Sequence, residues 1–327
     1  MTHTVFINTQ AFGDIIFGIN AARRYKKDNP DHLVSYCITS TFTLTTNEGA
    51  SGHSEVLEVL EKQDWLDAVG VVSFDSSGRM QNIRINNDDA KFKTVDSVVV
   101  HGRWFSDLGI SKSANFEIKD RLSEESLNDT SLQLVVDGDK LDDDIVRIGI
   151  AGPLDWNRKL QSEILRLDVL KGIQDLMSEY ALRYEITMFG VEMSNYSLHQ
   201  SLQLLKRQDL FVSPMGSLIH ASAALDVDTV SISSIFPKEY DSPEFYAQRG
   251  IHKTVVAKAE NHCESYACVV EKNSTGANSS EPGNPTAQLG FWPRHCPHTQ
   301  SKFSCTKTYE KDQILSKVKE WLNEKYK

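Results

Sequence analysis

The feature that most constrains this chain is a pattern of alternating short strands and amphipathic helices that stops near the middle and then begins again. Val5 to Asn8 is a β-branched and aromatic run, a glycine-containing turn follows, and Asp14 to Lys27 is apolar at helical spacing, which reads as strand, loop, helix. Leu33 to Thr39 is a second strand, Ser54 to Leu60 a helix, Val69 to Phe74 a third strand and Ser97 to Val100 a fourth. The series restarts with a strand at Val146 to Ile150, a helix at Leu165 to Tyr180 and a strand at Tyr184 to Phe189. It continues through a helix at Ser197 to Lys206, a strand at Leu210 to Ser213, a helix at Leu218 to Leu225 and a strand at Thr229 to Ser233. Strands separated by helices pair in parallel, and a parallel sheet is covered on both faces. The fold class is therefore α/β, with two Rossmann-like, doubly wound domains.

A length of 327 residues also exceeds what one hydrophobic core usually supports. The stretch from Ser123 to Asp144 is polar and Asp-rich, with only Leu132 to Val136 reading as strand, so the boundary falls there. We expect an N-terminal domain over residues 1–140 and a C-terminal domain over 141–310. A closing helix over 311–327 carries Ile314, Leu315, Val318, Trp321 and Leu322 on one face and is expected to pack across the domain junction. Lys272 to Leu289, rich in Ser, Asn, Gly and Pro, is expected to be a mobile loop.

The net charge of −10 excludes bulk electrostatic coating of nucleic acid, which needs clustered Lys and Arg. Arg23, Arg24, Lys26 and Lys27 form one dense basic run, which reads as a solvated helix face. No apolar run approaches the ~20 residues of a membrane span, and Met1 to Ile7 leads straight into a strand without the charged start of a signal peptide. A cytoplasmic protein is expected, in which five cysteines are free thiols or metal ligands and the Asn-x-Ser/Thr matches at Asn273 and Asn278 carry little weight.

Three segments carry residues suited to chemistry. In the turn Thr9-Gln10-Ala11-Phe12-Gly13-Asp14, Gly13 permits close backbone approach and Asp14 stands at a helix start on the carboxyl edge of a strand. Asp14 there is either a helix N-cap or a base that takes a proton from a hydroxyl. In the loop Gly152 to Lys159, Arg158 and Lys159 are either a surface charge pair or a diphosphate clamp. From Val212 to Leu225 a strand ends at Ser213, and a Pro/Gly/Ser turn leads into a small-residue helix whose N-terminal N–H groups suit phosphate. Met215, Gly216, Ser217 and Leu218 line that turn, and His220 is either a core histidine or a ligand to diphosphate or ribose.

In this order and at these separations, the three segments resemble the heptosyltransferase-type enzymes of glycosyltransferase family 9. Gly13-Asp14 before an apolar helix with Pro30 beyond it is similar to that family's opening motif. Arg158-Lys159 is similar to its lysine loop, and Gly216 to His220 with Ala221, Ala223 and Ala224 to its nucleotide loop. The resemblance implies a GT-B fold, two Rossmann-like domains facing a central cleft. It implies inverting, metal-independent transfer from a nucleotide-diphosphate sugar, with no cofactor, to a hydroxyl of a glycan or lipopolysaccharide-type acceptor. Asp14 would be the general base, and Lys159 would contact the diphosphate. The chain departs from the family where Met215, Gly216 and Ser217 replace an acidic residue or a Thr-Gly or Gly-Gly pair.

His101, Arg103, Trp104 and Phe105 follow the fourth strand and, with Phe12 and Gly13, are expected to face the acceptor side of the cleft. Ordinary loop packing is the other role open to that patch. Cys263, Cys268, Cys296 and Cys305, with His262, His295 and His298 nearby, are either free thiols or a structural zinc site. Two further functions fit the same residues: sugar transfer to a hydroxymethylated base in viral DNA, in the host cytoplasm, and a non-catalytic nucleotide-sugar binder. The acidic balance disfavours the first, and Met215 at a donor position favours the second. All of these readings require the Gly13-Asp14 turn to meet the Lys159 and His220 loops across one gap.

Overall fold

The computed structural model describes residues 2–8, 12–39, 52–74, 80–101, 117–118, 133–141, 143–153, 163–190, 196–233, 242–247, 249–256 and 309–326. The first half runs β1 (His3–Asn8), α1 (Phe12–Asp28), β2 (Leu33–Thr39), α2 (Gly52–Glu61), β3 (Ala68–Phe74), β4 (Met80–Ile85), β5 (Ser97–His101) and β6 (Glu117–Ile118). Among the described residues its sheet has the order β4-β3-β2-β1-β5-β6. Every residue of β1 is buried, as a central strand covered on both faces requires. The register pairs Asn8 with Ile38 on one side and with His101 on the other. One strand departs from the expected all-parallel sheet, because β4 pairs antiparallel with β3.

The second half runs β7 (Ile145–Ala151), α3 (Glu163–Glu179), β8 (Arg183–Phe189), α4 (Leu198–Lys206), β9 (Leu210–Pro214), α5 (Ser217–Ala224), β10 (Asp228–Ile232), α6 (Pro243–Tyr246) and β11 (His252–Val255). Its strands are parallel in the order β11-β10-β9-β7-β8. Local chemistry sets the helix starts. Ser197 and Gln200 form a reciprocal capping box on α4, while Ser242 caps α6 with Pro243 in its first turn.

Of the strand expected over Leu132 to Val136, residues 133–136 are described, and they pair with no strand among the described residues. Their polar groups go instead to side chains and helix ends of both halves. Gln133 N donates to Asn20 Oδ1 at 3.0 Å, and Val135 N donates to Gln63 Oε1 at 3.1 Å. Gln63 Nε2 donates back to Val135 O at 3.1 Å, and Lys206 Nζ donates to Val136 O at 2.8 Å. Leu134 N meets the Ala224 carbonyl at the end of α5, at 2.9 Å. Leu134 and Val136 are buried, so the linker is a packed element whose backbone is satisfied without a ladder.

The last helix, α7 (Lys311–Lys325), corrects one expectation. Among the described residues, its main contacts are with α3, β10 and β11, all in the second half. The reason lies in its buried polar anchor. Trp321 is fully buried, and its indole Nε1 donates to Asp228 Oδ2 at 2.8 Å, an acceptor on β10. Tyr180 beside α3 donates to Asn323 at 2.6 Å, and the Gly172–Leu315 contact lets the helices approach closely. The junction is bridged instead by α1 against α5 and α2 against α4. At the second contact Glu55 Oε2 accepts from Leu198 N at 2.9 Å, placing an acid on the positive end of α4. Among the described residues, no helix is long and apolar enough to cross a membrane.

Candidate functional site

In an open parallel sheet, ligands bind beyond the carboxyl ends of the strands where the strand order reverses direction. In the first sheet that point lies between β1 and β5, since the chain leaves β1 toward β2 and later returns to its other side. The carboxyl ends there are Asn8, which precedes the Gly13 turn, and His101. In the second sheet the reversal lies between β7 and β9. β7 leads into the loop that begins at Gly152, and β9 leads into Met215 and Gly216. The described residues of the segments singled out from sequence, Gly13, Gly152, Met215 and Gly216 among them, therefore follow strands at the two reversal points.

The first turns of α1 and α5 bring those points together. Gly13 N donates to Ser217 Oγ at 3.2 Å. A Cβ on Gly13 would stand 2.9 Å from His220 Cδ2 and 3.5 Å from Ser217 Cα, so a glycine is what allows this approach. Phe17, one turn further along α1, sets its ring edge-on to His220 at 5.0 Å and to Tyr246 at 5.2 Å. His220 Nδ1 lies 2.7 Å from Tyr246 Oη, and both side chains are buried. The expected gap between the Gly13 and His220 segments is, at this point, a closed contact.

The remaining expected site residues divide by position. Asp14 is the third residue of α1, so it lies inside the first turn and not at the N-cap position. Phe12 and Met215 are buried in the main core, and Met215 N donates to the Ile232 carbonyl at 2.9 Å, which gives both a packing role. Gly216 stands at the N-cap of α5, and Ser217 and Leu218 are half-buried at its start. His101 ends β5, paired with Asn8. Arg103, Trp104, Phe105, Arg158, Lys159, the cysteines at 263, 268, 296 and 305, and the Lys272 to Leu289 segment lie outside the described residues. Among the described residues no group of three or more His, Cys, Asp or Glu could hold a metal ion. Cys37 is fully buried in β2, and burial pushes its thiol far up, which suits packing and not ligation.

Sequence reasoning missed Phe17 and Tyr246. Phe17 looks like any apolar position of an amphipathic helix. Tyr246 belongs to a four-residue helix whose start, Ser242-Pro243-Glu244, is legible while its contact with His220, 26 positions away, is not. A groove between α3 and α7, lined by Asp168, Lys171, Asp175, Glu179, Lys311 and Lys319, uses none of the site residues.

No protein-family model and no curated protein matches the sequence. Solved structures do. The glycosyl transferase family 9 protein from Veillonella parvula superposes with a TM-score of 0.54 at 12% identity, covering 99% of this chain and 98% of that one. The iron-containing dodecameric glycosyltransferase TibC from enterotoxigenic E. coli gives 0.58 at 12% identity, covering 99% of this chain and 76% of its own. This protein has the GT-B-like fold of those glycosyltransferases. A second TibC structure, in complex with ADP-D-β-D-heptose, gives a TM-score of 0.57 at 11% identity, over 98% of this chain and 76% of that one. At such identities the likeness is one of fold, and it matches the two parallel sheets described above.

Proposed function

We propose that the protein is an inverting glycosyltransferase that moves a sugar from a nucleotide-diphosphate sugar to a hydroxyl acceptor. The observation that carries the reading is the meeting of two strand-order reversal points through the Gly13, Ser217 and His220 contact. A ligand at either point lies beside residues of both halves. In the reaction as proposed, the acceptor oxygen attacks the anomeric carbon and the carbon–oxygen bond to the diphosphate breaks. The bonding pair leaves with the nucleoside diphosphate, and the acceptor proton passes to the Asp14 carboxylate. Negative charge then grows on the leaving group, where Arg158, Lys159 and the N-terminus of α5 would stabilise it. The step as written uses no metal.

Transfer would be followed by mass shift, with ADP-, UDP- and GDP-sugars offered against saccharide acceptors. TibC was solved with ADP-D-β-D-heptose, so an ADP-linked sugar is the first donor to offer. Asp14→Ala is expected to lower turnover by about 10²–10⁴ while nucleotide binding stays largely intact. Wild-type turnover in that variant would remove Asp14 from the role. A wild-type protein that binds nucleotide sugars without transferring or hydrolysing them would replace the enzyme reading with a binding one.

A further inference from the structure

We infer that Ser217 is a positioning residue whose hydroxyl caps α1 from the other half of the molecule, so that the turn carrying Asp14 is ordered only while the halves are closed. The purpose of that order comes from the transferase reading, in which Asp14 is the base, and the cap itself comes from geometry. The first N–H groups of a helix have no acceptor within it, and a side-chain oxygen just before the helix usually serves the second or third of them. In α1 the second helical residue is Gly13, and the sequence places Ala11, which has no side-chain oxygen, just before Phe12. Gly13 N donates instead to Ser217 Oγ at 3.2 Å, a partner 204 positions away.

Ser217 is the first residue of α5, whose own cap residue is Gly216 with no side-chain cap bond. The hydroxyl thus serves the neighbouring helix and not its own. A Cβ on Gly13 would lie 3.5 Å from both Ser217 Cα and Ser217 Oγ and 2.9 Å from His220 Cδ2, so a side chain at position 13 would crowd the approach that makes the bond. Glycine is also a weak helix former, which leaves the first turn of α1 more dependent on an outside acceptor. Phe17, one turn further on, packs edge-on to His220 of α5 and keeps the two helix starts side by side. Asp14 follows Gly13 directly. When the halves part, the Gly13 N–H loses its acceptor and the first turn frays. When they close, the turn forms against α5, whose start faces the leaving diphosphate in the proposed reaction.

Ser217→Ala removes the acceptor and, because alanine is the better helix former, leaves α5 intact, while Ser217→Thr keeps the hydroxyl. Amide hydrogen exchange read by NMR should show Gly13 protected in the wild type and exchanging about fivefold faster in Ser217→Ala, the fold-change of one lost cap. Protection should return in Ser217→Thr, with Ala221 to Ala224 unchanged in both variants. With whichever of the ADP-, UDP- or GDP-sugars the wild type transfers, kcat should fall about fivefold in Ser217→Ala and recover in Ser217→Thr. Calorimetric affinity for the matching nucleoside diphosphate should stay at the wild-type value in both.

A Gly13 amide that exchanges equally in the wild type and Ser217→Ala overturns the cap. Faster exchange with unchanged kcat, or turnover that Ser217→Thr fails to restore, overturns the positioning role. So does a loss of diphosphate affinity large enough to account for the lost turnover, which would make Ser217 a donor contact. If the wild type transfers no sugar, the transferase reading fails, and the exchange rates alone decide the cap. If Ser217→Ala does not fold, the wild-type Gly13 amide decides, with exchange at the rate of an unstructured chain the overturning result.

Discussion

The two halves are joined in two physically different ways, and the difference separates the part of the junction that holds from the part that can part. At the linker, five hydrogen bonds tie the backbone of residues 133–136 to Asn20, Gln63, Lys206 and Ala224, each satisfying a main-chain group. Pulling the linker away leaves those groups unpaired, at a cost of about 1–3 kcal/mol for each one that stays buried. At the seam between α1 and α5, Gly13 N to Ser217 Oγ is a hydrogen bond of moderate length, and the closest neighbours are ring edges. Separating these rings exposes area and frees the Gly13 N–H, one main-chain donor against five main-chain groups at the linker. The same fold thus has a fixed tie at its connection and a weaker closure over the site.

The largest expected effect tests that contrast with two phenylalanines. Phe211 lies in the second sheet, fully buried, with its ring edge-on to Phe189 at 5.5 Å. Phe211→Ala should cost about 3–5 kcal/mol in chemical denaturation, because the cavity cannot collapse between strands. Phe17→Ala should cost less, about 1–3 kcal/mol, because the seam can relax or admit water. Equal losses would mean that the seam is as rigid as the core.

An intermediate effect comes from comparing Gln63→Leu with Gly13→Val. Gln63→Leu removes both bonds to Val135 and should lower stability by about 1–3 kcal/mol with no change in overall dimensions. Gly13→Val forces a side chain against a ring pinned by Tyr246, an overpacking cost of about 1–3 kcal/mol that opening the seam relieves. Small-angle scattering should therefore show a larger radius of gyration for Gly13→Val and an unchanged one for Gln63→Leu. The reverse pattern would exchange the roles given to the two contacts.

The smallest effect concerns the anchor of α7, where the second half is closed by its own chain. His252 accepts from Thr229 at Nδ1, and its Nε2 reaches the Arg249 carbonyl. Burial holds its pKa below the ordinary value, and the Arg249 hydrogen bond together with Asp228, Asp226 and Glu244 opposes that only in part. The unfolded chain takes up the proton more readily. The stability from this group is therefore complete above about pH 6.5 and is lost as the pH falls through the lower folded value. Melting temperature should decline between about pH 7 and 5 in the wild type and less steeply in His252→Asn. Parallel slopes would place the acid sensitivity elsewhere.

The sequence carries the order of elements well because that order rests on local signals. The helix expected over Ser197 to Lys206 is found with Ser197 as its cap, and the strand expected over Leu33 to Thr39 is found over those residues. Three strands escaped, among them the two-residue β6 (Glu117–Ile118), too short to leave a pattern. In β4, Gln81, Asn82 and Arg84 interrupt the apolar series, as befits a strand on the margin of the sheet, and β11 is only four residues long. The linker misled in the opposite direction. Leu132 to Val136 has the composition of a strand, yet amides and helix ends satisfied its backbone before any strand did.

Apolar periodicity and turn residues alone determined two doubly wound sheets, and they placed Gly13 and the Gly216 turn at carboxyl strand ends, because both signals act over a few residues. Tertiary structure alone decided that Gly13 touches His220, that Tyr246 holds the same ring, and that the last helix stays with the second half. Those contacts span 207, 26 and 93 positions, the last measured from Asp228 to Trp321. At such separations the partner is chosen by which buried groups can satisfy one another once the sheets have formed, and no local pattern records that choice.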